Sequence, residues 1–251
     1  MNNRYFYGSH LNERKFRQIV RLFSLDIEAK KTAKMTGVSR QSINKIYAAI
    51  RQRIVEICEE KQPPSLGEFE LDESYFGARR IRGVRGRGAQ GKTIVFGIMK
   101  RAGAVSAYVV ETCSTRALMP LIKRHIDPQS TIYTDGFKTY ESLPKFGYKN
   151  VLTVCHNDNE FAKENNIHTN TIENFWGLCK SRLFKFRGVS KNAFYTHLKE
   201  CEFRYNNRDK NLYKMLLKNF RKKSSKVVLN PIFFLVFLLY LISPTGVPIV
   251  L

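Results

Sequence analysis

Acidic residues are scarce in this chain. Against 43 Lys and Arg it has 21 Asp and Glu in 251 residues, a formal net charge of +22. Solubility does not ask for so large an excess, which points to a polyanionic partner, either nucleic acid or an anionic membrane surface. None of the five cysteines (Cys58, Cys113, Cys155, Cys179, Cys201) forms a CxxC pair, and this spacing argues against a zinc ribbon. The cysteine count is odd and the opening MNNRYFYGSHLNERKF is polar, so reduced thiols and a cytoplasmic, nucleoid-associated protein are expected. The glycine-rich string GRGAQGKT at 86–93 leads into TIVFGIMKR, which reads as a strand and not as the helix a phosphate-cradling loop opens, so the loop at 79–92 is not read as a nucleotide cradle. No apolar run reaches the roughly 20 residues of a membrane helix; IFFLVFLLYLI, at 232–242, has 11.

The first sixty residues read as helical. Phe16, Ile19, Val20 and Phe23 recur at helix spacing, and a second segment from Ile27 to Met35 ends at Thr36-Gly37. Ser39 then caps a third helix running to about Ile57, with Ile43, Ile46, Ile50 and Ile54 on its apolar side. The layout is helix, tight turn, helix. Ser39, Arg40, Gln41, Asn44 and Lys45 open the second of the pair, where a helix-turn-helix meets base edges. A plain three-helix bundle has the same pattern; the basic composition favours DNA binding.

Gln62-Pro63-Pro64-Ser65 reads as a linker. The period then changes to two: Phe69 and Leu71 face one side, Glu68, Glu70 and Asp72 the other. An arginine-rich loop at 79–92 suits phosphates. Further strands are expected at 93–101, 104–113, 131–135 and 151–155, with helix at 115–126 and 137–143. Helix is also expected from Thr171 to about Asn207, with a break near Gly188. Three consecutive strands, then helix and strand in alternation, predict an α/β fold with a mixed sheet. The expected domains are 1–61, 66–220 and an atypical tail, 221–251.

Three acids stand out. Asp72 is mid-strand, Asp135 ends TIYTD, and Glu173 opens a helix in HTNTIENFWGLCK. Lys180 lies two helical turns past Glu173, on the same face. Carboxylates brought together this way can hold hard, oxygen-loving cations such as Mg²⁺, with Mn²⁺ able to substitute. Two such ions promote phosphodiester cleavage. Each acid also has an ordinary reading, as a turn residue before glycine or a partner of a helix dipole. Alternation puts Glu73 on the face opposite Asp72, in a core-edge or ion-pair role, and leaves Glu70 at most a supporting one. His156 and His168 flank the last acid and could touch DNA. Trp176 is expected to pack the helix, with stacking on a flipped base as an alternative. Arg208 could meet phosphate.

The words LDESYFG, TIYTDGFKTY and HTNTIENFWGLCKSRLFKFRGVSK, with FRYNNR downstream, resemble the ISXO-like DDE transposases of bacterial insertion sequences, from about residue 3 to about residue 220. The resemblance implies an RNase H-like, integrase-like core in which Asp72, Asp135 and Glu173 are the catalytic, metal-binding triad for two Mg²⁺ ions. It implies that Lys180 contacts DNA near the cleaved end. It also implies an oligomer, a homodimer or higher, that binds terminal inverted repeats and joins them to target DNA. Many relatives begin with a zinc ribbon; without one here, recognition of the ends would fall to the helix-turn-helix. A nuclease that cuts without joining, or an inactive DNA-binding remnant, would carry the same words. The tail after residue 225 departs from the pattern. It reads as a non-native extension of the frame rather than a partner-binding or core-covering segment or a marginal membrane anchor.

Overall fold

The computed structural model describes residues 3–7, 11–77, 92–154, 169–186, 188–222 and 225–226. Most of the arginine-rich loop, His156, His168 and the apolar run at 232–242 lie outside these residues. The chain divides into two compact units, residues 1–43 with 213–251, and residues 44–212. Among the described residues no helix is long and apolar enough to cross a membrane.

In the first unit, α1 (Glu13–Ser24) begins at Asn12, whose side chain accepts from the Lys15 amide at 2.8 Å. One stripe of α1, Phe16, Ile19, Val20, Leu22 and Phe23, is buried. The next helix, α2 (Ala29–Thr36), ends on Gly37 at φ 67°, a left-handed turn that glycine adopts without steric cost. There α3 (Arg40–Cys58) begins. Ser39 Oγ accepts from the Ser42 amide at 3.1 Å and so caps α3. Tyr5 stacks on Phe16, and Phe220 of α7 (Leu212–Lys222) meets Phe16 edge-on at 5.5 Å. Two-residue strands β1 (Phe6–Tyr7) and β7 (Ser225–Lys226) pair in parallel. Residues 213–220, grouped in the sequence with the catalytic segment, thus fall in this unit.

The second unit is built on a five-stranded sheet ordered β4-β3-β2-β5-β6. Its strands are β2 (Glu68–Phe76), β3 (Thr93–Lys100), β4 (Val105–Val110), β5 (Thr131–Thr134) and β6 (Asn150–Thr153). The first three pair antiparallel, whereas β5 and β6 run parallel to β2. The expected mixed α/β sheet is therefore present. Because successive strand residues alternate faces, β2 feeds two cores. Leu71 and Phe69 join the core formed with α4 (Thr115–His125) and a 3₁₀ helix at Lys138–Phe146. Phe76, Val95 and Met99 pack under α5 (Asn170–Phe184) and α6 (Lys191–Asn206).

The outer edge of β4 is closed by side chains of α6. Glu202 Oε2 accepts from the Ala107 amide at 3.0 Å, and Asn206 both accepts from Val105 N and donates to Val105 O, each at 2.8 Å. An open strand edge invites pairing with another chain; the EFRYNN segment satisfies this one internally. Glu202 also takes the ammonium of fully buried Lys199 at 2.8 Å. Glu200 gathers Arg51, Arg182 and Arg204. Burial would raise the Glu200 carboxyl, but the three guanidinium groups overcome it and hold the group down to about 2.

Candidate active site

Asp72 sits in the middle of β2, directly opposite Gly97 of β3. That glycine is required. A Cβ on residue 97 would lie 2.5 Å from Trp176 Cζ2 and 2.8 Å from Ile172 Cδ1. Without one, the indole of Trp176 rests against the strand, and its Nε1 donates to Asp72 Oδ2 at 2.9 Å. Asp72 Oδ1 accepts from the Glu73 amide at 2.8 Å. Both oxygens of Asp72 are thereby oriented. Trp176 is only 4% exposed, so it packs and positions; stacking on a base is not open to it.

Glu70, two residues earlier on the same face, is fully buried. It accepts from the backbone N–H of Ile172 in the first turn of α5 at 2.9 Å and from Arg101 Nε at 3.1 Å. A carboxylate at a helix N-terminus satisfies a free amide and the positive end of the dipole. Glu70 therefore ties the start of α5, which carries Glu173, to the strand that carries Asp72.

β5 pairs with β2 only along Glu68–Glu70. Beyond that point no strand among the described residues pairs with this edge of β2, and side chains from either face can turn towards the residues that follow β5. Asp135 is the first of these. Asp72, Glu73 and Asp135 each place a carboxylate oxygen within 4.8 Å of the other two. Strand alternation set Glu73 apart from Asp72; the open edge brings them together, which corrects that expectation. Glu73 is further held by the hydroxyl of buried Tyr140 in the 3₁₀ helix. Tyr140 is a partner that no local sequence pattern announces.

Asp135 Oδ1 accepts from Phe137 N at 3.2 Å, the hydrogen bond of a tight turn. Gly136 makes that turn at φ 79°, where a Cβ would come 2.8 Å from Thr153 Cγ2. Glu173 is exposed in the first turn of α5 and lies outside the 4.8 Å group, with Thr169 Oγ1 at 3.5 Å. Its charge nonetheless reaches Asp72. Burial above all, with the charges of Asp135 and Glu173, pushes Asp72 up from 3.8 to about 6, against the lowering pull of the Trp176 hydrogen bond. Burial likewise leads in pushing Glu73 up to about 7, with Tyr140 opposing and Asp135 and Asp72 assisting. Bringing these negative charges together in a half-buried place is costly, and a cation relieves that cost.

The remaining expected residues sort by place. Lys180 is exposed on α5, its ammonium 5.7 Å from the centre of the Phe76 ring. Ser39, Arg40, Gln41, Asn44 and Lys45 are all exposed. Arg208 is exposed and lies over the Tyr205 ring at 4.6 Å.

Residues 64–206 match the family model described as an ISXO2-like transposase domain. The chain belongs to that family. It is 38% identical over 105 residues to an uncharacterized transposase-like protein of Haemophilus influenzae, a match covering 41% of this chain and 81% of that one. It is 29% identical over 178 residues to an uncharacterized protein in transposable element ISH50 of Halobacterium salinarum, covering 65% of this chain and 60% of that one. The matched segment contains Asp72, Glu73, Asp135 and Glu173, so the acids that converge in space lie inside the transposase domain.

Proposed function

We propose that the chain is the transposase of an insertion sequence, with Asp72, Asp135 and Glu173 as its catalytic acids on an RNase H-like core. The observation that carries this reading is the convergence of Asp72, Glu73 and Asp135 at the open edge of β2, within the matched domain. Three antiparallel strands followed by two parallel ones support the proposed core. The acids offer oxygen donors alone, the set that suits Mg²⁺. Asp72, Asp135 and Glu173 would hold two such ions, with Glu73 alongside. When bound, divalent ions polarise the phosphate and lower the pKa of attacking water.

The chain's own residues supply position and charge. Trp176 and the Glu73 amide fix both oxygens of Asp72. Glu70 fixes the helix that presents Glu173. Tyr140 occupies Glu73 Oε1. Lys180, seven residues past Glu173, would contact a phosphate beside the cut. In the first step water attacks phosphorus in line, the P–O3′ bond breaks, and the element's end is left with a 3′-OH. In the second, that hydroxyl attacks a target phosphodiester; one P–O bond forms as another breaks, so no external energy source is needed. The α2–Gly37–α3 segment would bind the terminal repeats as a helix-turn-helix, through Ser39, Arg40, Gln41, Asn44 and Lys45, in a dimer or higher oligomer.

The test is Mg²⁺-dependent cleavage and strand joining on DNA carrying the element's own ends. Asp72→Asn, Asp135→Asn and Glu173→Gln should each abolish both steps while retaining DNA binding. A substituted protein that cuts at the wild-type rate removes its residue from the site. Cutting without joining would favour a nuclease.

A further inference from the structure

Immediately beyond Asp135 lies a cavity of about 270 Å³ that the two chemical steps leave unused. Its wall includes Gly136 and Phe137, which follow the acid directly, and Tyr140, which holds Glu73. Thr134, Glu141 and Thr153 add polar groups. A cavity of about 150 Å³ accommodates benzene, so this one has room for a larger ring with a polar edge.

The lining selects among the parts of a nucleotide. Its described lining residues include no lysine or arginine, and Glu141 would repel a phosphate. It does contain an aromatic face: Phe137 is 44% exposed, its ring 6.3 Å from that of Tyr140 and near-perpendicular to it. Aromatic side chains give nucleobases a stacking surface, and a carboxylate accepts from their amino groups. With Trp176 buried, Phe137 is an exposed aromatic that both follows the acids and lines this cavity. Resting on the transposase reading above, we infer that this cavity takes one unpaired nucleobase of the strand being cut, stacked on Phe137 with Glu141 facing its amino edge. Withdrawing that base from the duplex would bring the adjoining phosphate to Asp72 and Asp135.

The test uses end-bearing duplexes in two forms, fully paired and with a single base removed next to the cut. Losing a stacking partner weakens base binding by roughly 5- to 150-fold. Phe137→Ala should slow cleavage of the paired duplex by a factor in that range, and the abasic duplex, which has no base to withdraw, should restore most of the rate. A variant equally slow on both duplexes, or as fast as wild type on the paired one, overturns the inference. A second arm needs binding alone: 2-aminopurine is placed in turn at positions flanking the cut, and its fluorescence is read without metal. One position should change emission with the wild-type protein and not with Phe137→Ala; no change at any position is a refutation. If the wild-type protein cuts neither duplex, the transposase reading fails, and this second arm decides the cavity by itself.

Discussion

Replacing Gly97 with alanine probes the link between the sheet and the acids. The added Cβ would meet Trp176 Cζ2 at 2.5 Å and Ile172 Cδ1 at 2.8 Å, both inside van der Waals contact. Forcing one carbon into a packed core costs about 1–3 kcal/mol. The indole can escape only by leaving the strand, which ends its 2.9 Å hydrogen bond to Asp72. A hydrogen bond to a charged group contributes about 1.5–3 kcal/mol net. The two losses overlap, because moving the ring relieves the clash, so the expected destabilisation is about 2–4 kcal/mol. That is a large part of a typical stability of about 5–15 kcal/mol. Trp176 is the chain's single tryptophan, so urea unfolding followed by its fluorescence reads the affected place directly. The midpoint should fall and the native emission should shift. An unchanged midpoint with unchanged native emission would refute the seating of the indole on Gly97 and the orientation of Asp72 that depends on it.

Other perturbations follow from the same packing. Asp72 has a folded pKa of about 6, raised from 3.8, so its contribution to stability is present at low pH and is lost as pH rises through 6. The metal-free protein should lose stability of the order of 3 kcal/mol at Asp72 between about pH 4 and pH 7, and Asp72→Asn should flatten that dependence in denaturation at a series of pH values. Glu202→Ala leaves Lys199 buried without its carboxylate and opens the edge of β4; a cost of about 3–5 kcal/mol is expected by denaturant titration. Gly136→Ala strains a positive φ and presses on Thr153, and should weaken divalent-metal binding, read by calorimetry, more than it lowers thermal stability.

The sheet was legible because its strands announce themselves locally: Glu68–Phe76 alternates, Thr93–Lys100 is apolar, and helices fall between the later strands. The closeness of Asp72 and Asp135 was legible from their places in those elements together with the surrounding family words, whereas Glu173 lies outside their group. Glu73 was not legible, because alternation describes a strand paired on both sides, and β2 outruns β5 at residue 70. Tyr140 and Gly97 act through register and packing between segments distant in sequence, which no local period encodes. The role of Glu70 at the start of α5 was hidden for the same reason, since its partner, Ile172, is 102 residues away. Phe220 against Phe16 joins the two ends of the described chain, and periodicity has no access to such a contact.

The central claim is that Asp72 and Asp135 jointly hold the metal that serves DNA cleavage. Trp176 donates to Asp72 and has no hydrogen bond to Asp135 among those described, so its emission reports on metal arriving between the two acids. The decisive measurement is a Mn²⁺ titration of the protein bound to end-bearing DNA, followed by Trp176 fluorescence and competed with Mg²⁺. The wild-type protein should show a saturable change that Mg²⁺ reverses, and Asp135→Asn, which leaves the indole in place, should lose it. The same titration curve in both proteins, or none in the wild type, would contradict the account.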